Sequence, residues 1–188
     1  MQYLLTNHLP ETILFLFFVY VVALFNILIF RKKRVERALS NVDVAIKQRC
    51  DLIPELVEAA EKYMAYEKEL IADLIEKRAE WEKAATQEER MDIGLDVGNS
   101  VGRFQGVAED YPVLLASKNV MYLQERLAGI EDKVAGARQH YNRTVKIYNS
   151  SIQMFPYLFL AKAFKFNPFA FFEASVEELP KIGGENLC

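Results

Sequence analysis

The sequence predicts an all-α protein: a single N-terminal transmembrane helix, followed by an up-and-down antiparallel four-helix bundle with long helices. Three observations lead there. The run from Ile13 to Phe30 contains no charge, no Gly and no Pro. After it, apolar residues recur at steps of three and four, the helical period. No alternating apolar and polar stretch bounded by turn residues suggests a strand.

The first element is the apolar run. Apart from Tyr20, Ala23 and Asn26, every residue in it is Ile, Leu, Phe or Val. Each of these four types favours insertion at mid-membrane, and a helix of this length spans roughly 27 Å, close to the hydrocarbon thickness. A buried core helix rarely runs so far without a polar face. A cleaved signal sequence would need a basic n-region and a small-residue cleavage site, and residues 1–12 contain no Lys or Arg. Asn26 sits near the inner boundary of the run.

Orientation follows from the flanks. Arg31, Lys32, Lys33, Arg34 and Arg37 form a basic collar behind the run. Beyond Arg37 the chain carries 18 basic and 24 acidic residues. A basic collar on an acidic body suits an anionic membrane surface. The positive-inside rule then predicts residues 1–12 outside, 13–30 spanning, 31–155 as a cytoplasmic bundle and 156–188 as a Phe-rich segment with a tail. The net charge of −3 gives no nucleic-acid footprint. Two cysteines, Cys50 and Cys188, make no disulfide framework.

The bundle elements come next. Val35, Leu39, Val42 and Ile46 repeat at 4-3-4, so helix 1 is expected to continue from the anchor. Proline is welcome in a first turn and disruptive deeper in a helix, so a second helix is expected to begin at Pro54. Its stripe would be Leu56, Ala60, Tyr63, Glu67, Leu70, Leu74, Arg78 and Trp81. If Pro54 only kinks the chain, the alternative is one long anchor-plus-stalk helix with two helices folded back on it. Thr86 and Glu89 form a capping box for helix 3, which should end near Tyr111-Pro112. Helix 4 should run to Phe155-Pro156. Its residues Val120, Leu123, Leu127, Ile130, Val134, Ala137, Tyr141, Val145, Tyr148, Ile152 and Phe155 make a coiled-coil-like heptad seam with one shift at Tyr141.

Several residues stand out from this frame. Arg49 and Asp51 flank Pro54, where an Asp commonly caps a helix and an Arg bonds nearby carbonyls. Tyr141-Asn142 and Tyr148-Asn149 lie one heptad apart on one helix face. They form either a recognition strip or a core edge whose amides bond neighbouring helices. The stretch Arg49-x-Asp51-Leu52-Ile53-Pro54-x-Leu56-Val57, with these paired Tyr-Asn steps, resembles the LemA family. The likeness covers nearly the whole chain. It implies a single-pass bacterial membrane protein with a four-helix bundle on the cytoplasmic side and no established activity. One branch of that family is associated with magnetosome membrane formation.

Gly94, Gly98, Gly102 and Gly106 recur at every fourth position. Each costs about 1 kcal/mol relative to Ala in a helix, so close packing by another helix is expected to offset it. Residues 155–172 hold seven of the 13 Phe. These rings either cap the bundle core or lie in the membrane interface, with Phe159, Phe164, Phe169, Phe171 and Phe172 as lipid-contact candidates.

Catalysis finds no support in the inventory. His8 stands in the outer stub, His140 has Ala137 rather than Glu three positions before it, and no HExxH, P-loop or GxSxG motif occurs. No catalytic, cofactor-binding or metal-binding residues are assigned, and no small-molecule substrate or nucleic acid is expected. The expected partners are the lipid bilayer and either other proteins or further copies of the chain. The function these features suggest is a non-enzymatic scaffold of the bacterial inner membrane; the alternative is a membrane-tethered signalling adaptor.

Overall fold

A computed structural model describes residues 2–64 and 66–172; within them, side chains are described from Glu11 onward, Glu88 excepted. Among the described residues the regular structure is entirely helical. Helix α1 runs unbroken from Gln2–Tyr63. It is followed by α2, Lys68–Lys83, then α3, Gln87–Ala108, a single turn α4, Pro112–Leu115, the long α5, Lys118–Gln153, and a short α6, Tyr157–Ala163.

The expected break at Pro54 does not occur. Proline removes one backbone bond and costs about 3 kcal/mol inside a helix. Against this stand Ile53 and Leu56, both fully buried, each contributing roughly 1.5–3 kcal/mol by burial. Breaking the helix between them would forfeit more than the proline costs, and Pro54 itself lies on the exposed face. The chain turns between α1 and α2 instead, where the Glu67 N–H bonds the Met64 carbonyl at 3.0 Å. The stripe expected for one helix is therefore divided between two. Leu56 and Ala60 belong to α1, while Leu70, Leu74 and Trp81 belong to α2, and Tyr63 is partly exposed at the join.

The remaining elements follow their local signals. Thr86 Oγ1 accepts from the Glu89 N–H at 3.1 Å, and the Glu89 carboxylate accepts from the Ala85 N–H at 2.9 Å, closing the cap of α3. Pro112 opens α4 at its first position. The α5 seam is buried from Val120 through Ile152, with Ala137 half-buried; Phe155, its expected last member, is exposed.

Side-chain pairs give the directions. Arg31 meets Ser151, Arg49 meets Glu131 and Glu55 meets Arg126, so α5 runs antiparallel to α1 along most of its length. Asp43 meets Arg90, while Ile46 faces Gly94 and Arg49 faces Gly98, so α3 runs parallel to α1. Asp73 on α2 accepts from Ser100 at 2.7 Å and pairs with Arg103 at 3.6 Å. The turn between α2 and α3 thus lies level with Asp43. Further toward the N-terminus, α1 and α5 continue without α2 and α3 beside them, and Leu28 and Val35 are still fully buried there.

That lower stretch is covered by the Phe-rich chain. After α6, Lys165 takes a left-handed conformation (φ 53°), and the Phe166 N–H bonds the Ala161 carbonyl at 2.9 Å. This is the Schellman ending in which glycine is usual. It turns the chain back along α5, where Phe166, Phe169 and Phe172 pack against the core. Ile13 to Tyr20, by contrast, are all about half exposed or more. α1 is the one helix among the described residues long and apolar enough to cross a membrane.

Candidate functional site

The paired Tyr-Asn steps on α5 form a clamp on the chain's own C-terminal stretch. Asn149 Nδ2 donates to the Phe169 carbonyl at 2.8 Å, and its Oδ1 accepts from the Phe169 N–H at 3.0 Å. Asn142 repeats the arrangement one heptad earlier: its Nδ2 donates to the Phe172 carbonyl at 3.0 Å and its Oδ1 accepts from the Phe172 N–H at 2.9 Å. The tyrosines add a second row. Tyr148 donates to the Asn167 carbonyl at 3.2 Å and Tyr141 to the Ala170 carbonyl at 2.9 Å. Their rings meet Phe169 and Phe172 edge-on, with centroids 5.3 and 5.4 Å apart, and Arg138 lies 5.4 Å over the Phe172 ring. Burial, with a smaller contribution from Glu36, pushes the Tyr148 phenol upward, which keeps its donated proton in place.

The spacing explains the match. One heptad of helix advances about 10.5 Å, and three steps of extended chain cover about 10 Å. Asn142 and Asn149 therefore meet residues three apart on a chain running the other way. The amides do not bond neighbouring helices, as a core-edge role required; they satisfy a backbone that has no ladder of its own. The signal available in the sequence was the triplet recurrence of Phe166, Phe169 and Phe172 against the heptad recurrence of Asn.

Arg49 sits one heptad from Val42 and from Leu56, a seam position otherwise filled by aliphatic residues. It is buried, with Nη2 4.0 Å from Glu131 Oε1. Desolvation pushes its guanidinium below the ordinary value; Glu131 and then Cys50 oppose this. A Cβ at Gly98 would stand 2.6 Å from Arg49 Nη1, so that glycine makes room for the guanidinium. Such a polar group at a seam position fixes register between helices. Asp51 lies within α1 and is exposed; it caps no helix, because none begins at Pro54.

The glycine ladder divides in two. A Cβ at Gly94 would come within 2.6 Å of Ile46 Cδ1, so Gly94 and Gly98 lie against α1. At Gly102 and Gly106 nothing stands within 4 Å, and the same holds for Gly129 and Gly136. Close packing thus accounts for the first half of the ladder only. The structure gives no reason for glycine at the second half.

Toward the apolar end of α1, Arg31 donates to Ser151 Oγ and lies 5.1 Å over the Tyr157 ring. Arg37 lies 5.7 Å over Phe30, and Lys33 pairs with Glu36 at 2.7 Å. Lys32 is half-exposed and Arg34 exposed. The Phe-rich rings separate by height. Phe164 packs 4.8 Å from Phe25 within the apolar run, yet it and Phe159 remain largely exposed. Phe169 and Phe172 pack instead on Tyr148 and Tyr141, and Phe171, half-exposed, stands beside Phe172 above the collar.

The profile of the LemA family matches residues 38–183, which include Arg49 and the whole clamp. Among curated proteins the chain is similar to magnetosome protein MamQ 2 and magnetosome protein MamQ 1 of Paramagnetospirillum magneticum, each 26% identical over 148 residues. Magnetosome protein MamQ of Magnetospirillum gryphiswaldense is 25% identical over 148 residues. Each match covers 65% of this chain and 54% of the relative, so the chain spans about half the length of the curated relatives it matches.

Proposed function

The chain belongs to the LemA family, and we propose that it is a non-enzymatic, membrane-anchored four-helix scaffold of the bacterial cytoplasmic membrane. The observation that carries this reading is the continuity of α1. The exposed apolar run and the bundle's longest core helix are one element, with no hinge between Glu11 and Tyr63. An anchor built this way holds the bundle upright at a set angle rather than on a loose tether. The basic collar sits where the apolar run ends, which orients the bundle toward the cytoplasm. Phe159 and Phe164 add exposed rings at the same end and are read as lipid contacts. The relatives' names connect their proteins with the magnetosome, and for this chain we read a role in organising membrane or membrane partners.

A scaffold must hold something. Amine-reactive crosslinking in intact cells, followed by purification of the full chain and mass spectrometry, reads this from the exposed α5 lysines Lys118, Lys133 and Lys146. The expected result is a small, reproducible set of intermolecular links, to other membrane proteins or to a second copy. Links confined to residues within one chain would contradict the scaffold role.

A further inference from the structure

A cleft of about 520 Å³ opens between α1 and α5 where the apolar run gives way to the collar. Its walls change character along their length. Ile27, Phe30 and Ile147 supply an apolar floor, and Arg31 and Arg34 supply the rim beside it. We propose that this cleft binds one anionic phospholipid, with the headgroup phosphate between Arg31 and Arg34 and the upper acyl chain along Ile27, Phe30 and Ile147. The proposal rests on the reading of α1 as a membrane anchor.

The two arginines are not equivalent. Arg31 is positioned by Ser151 and by the Tyr157 ring, so its guanidinium is held rather than free to sweep the surface. The Arg34 side chain is exposed and makes no hydrogen bond or ion pair among the described residues. The carboxylate nearest in sequence, Glu36, is engaged by Lys33. The cleft therefore offers unneutralised guanidinium donors, whose planar fork matches phosphate oxygens. The apolar floor is what favours a lipid over a soluble phosphate ester. Ile27, Phe30 and Ile147 are each about half exposed, and an acyl chain would remove them from water. Apolar floor and cationic rim also follow one another in the order met by a lipid entering from the bilayer.

The test uses the full chain in nanodiscs of mixed phosphatidylglycerol and phosphatidylcholine, released into native mass spectrometry to count retained lipids. One phosphatidylglycerol should be retained in preference to phosphatidylcholine. Arg34→Gln should reduce that preference about five-fold, the scale of one basic residue at a lipid surface. Lys32→Gln removes the same charge from the collar but does not line the cleft, and should leave the preference nearly intact. Millimolar glycerol phosphate should not displace the lipid. Equal retention of both lipids, or equal effects of Arg34→Gln and Lys32→Gln, would overturn the proposal in favour of general surface charge. Displacement by glycerol phosphate would overturn it in favour of a soluble phosphate site. In every case, alkaline carbonate extraction reports separately whether the chain is still embedded in membrane, so loss of lipid preference is distinguishable from failure of the anchor.

Discussion

Replacing Asn142 and Asn149 together by alanine should release the chain from Asn167 to Phe172 while leaving the helices folded. Each amide closes two hydrogen bonds on one backbone residue, so the double variant loses four. At about 1 kcal/mol each this is a loss of about 4 kcal/mol, and the stretch then keeps only the two tyrosine hydrogen bonds and its ring packing. The readout is amide hydrogen exchange. In the parent chain the Phe169 and Phe172 N–H groups should be protected; in the double variant their protection should fall by two orders of magnitude or more. Tyr148→Phe is the milder comparison, because it removes one hydrogen bond and keeps the ring against Phe169. Unchanged exchange at Phe169 and Phe172 in the double variant would show that the tyrosine bonds and ring packing hold the segment without the amides.

The second large effect concerns the glycine ladder. Gly94→Leu should lower the melting temperature, and Gly102→Leu should not. At Gly94 the first added carbon already overlaps the fully buried Ile46, whose Cδ1, Cγ2 and Cγ1 atoms lie within 3.3 Å of the new position. Overpacking of this kind costs about 1–3 kcal/mol, and each kcal/mol moves the melting temperature of a domain this size by about 2–4 °C. At Gly102 nothing stands within 4 Å, so the gain in helix propensity, up to about 1 kcal/mol, should appear as a higher melting temperature. Gly98 is intermediate, because the atom in the way is the end of the Arg49 side chain, which can move at the expense of its contact with Glu131. If Leu at 94 and Leu at 102 shift the melting temperature alike, α3 is not pressed against α1.

Local chemistry was legible where it acts locally. The Thr86 cap, the Pro112 start and the seam of α5 could each be read from a few adjacent residues, because capping geometry and helical period involve only near neighbours. Pro54 could not be read that way. Its propensity argues for a break, and only the burial of Ile53 and Leu56 in a core shared with later helices reverses the balance. The clamp was half legible. The heptad repeat of Tyr-Asn marked a face, but its occupant is an extended segment beyond α6 with no periodic signature of its own except a Phe at every third position. Glycine spacing marked a candidate surface from Gly94 to Gly106 and did not show where α1 diverges from it. The Phe-rich segment was open to two roles, and lipid contact remains our proposal for Phe159 and Phe164 alone. Phe169 and Phe172 face the bundle, Phe164 packs on Phe25 of the apolar run, and Phe159 is exposed.

We propose that α1 crosses a membrane and carries the helices on its cytoplasmic side. Cys50 cannot report on this, because burial pushes its thiol up to about 12 and leaves it essentially without thiolate at neutral pH. Tyr66, 94% exposed at the far end of α1, is the place for a reporter. With Cys188 replaced by Ser, Tyr66→Cys should resist a membrane-impermeant maleimide in intact cells and react fully after lysis. Reaction in intact cells would place the far end of α1 outside and contradict the account.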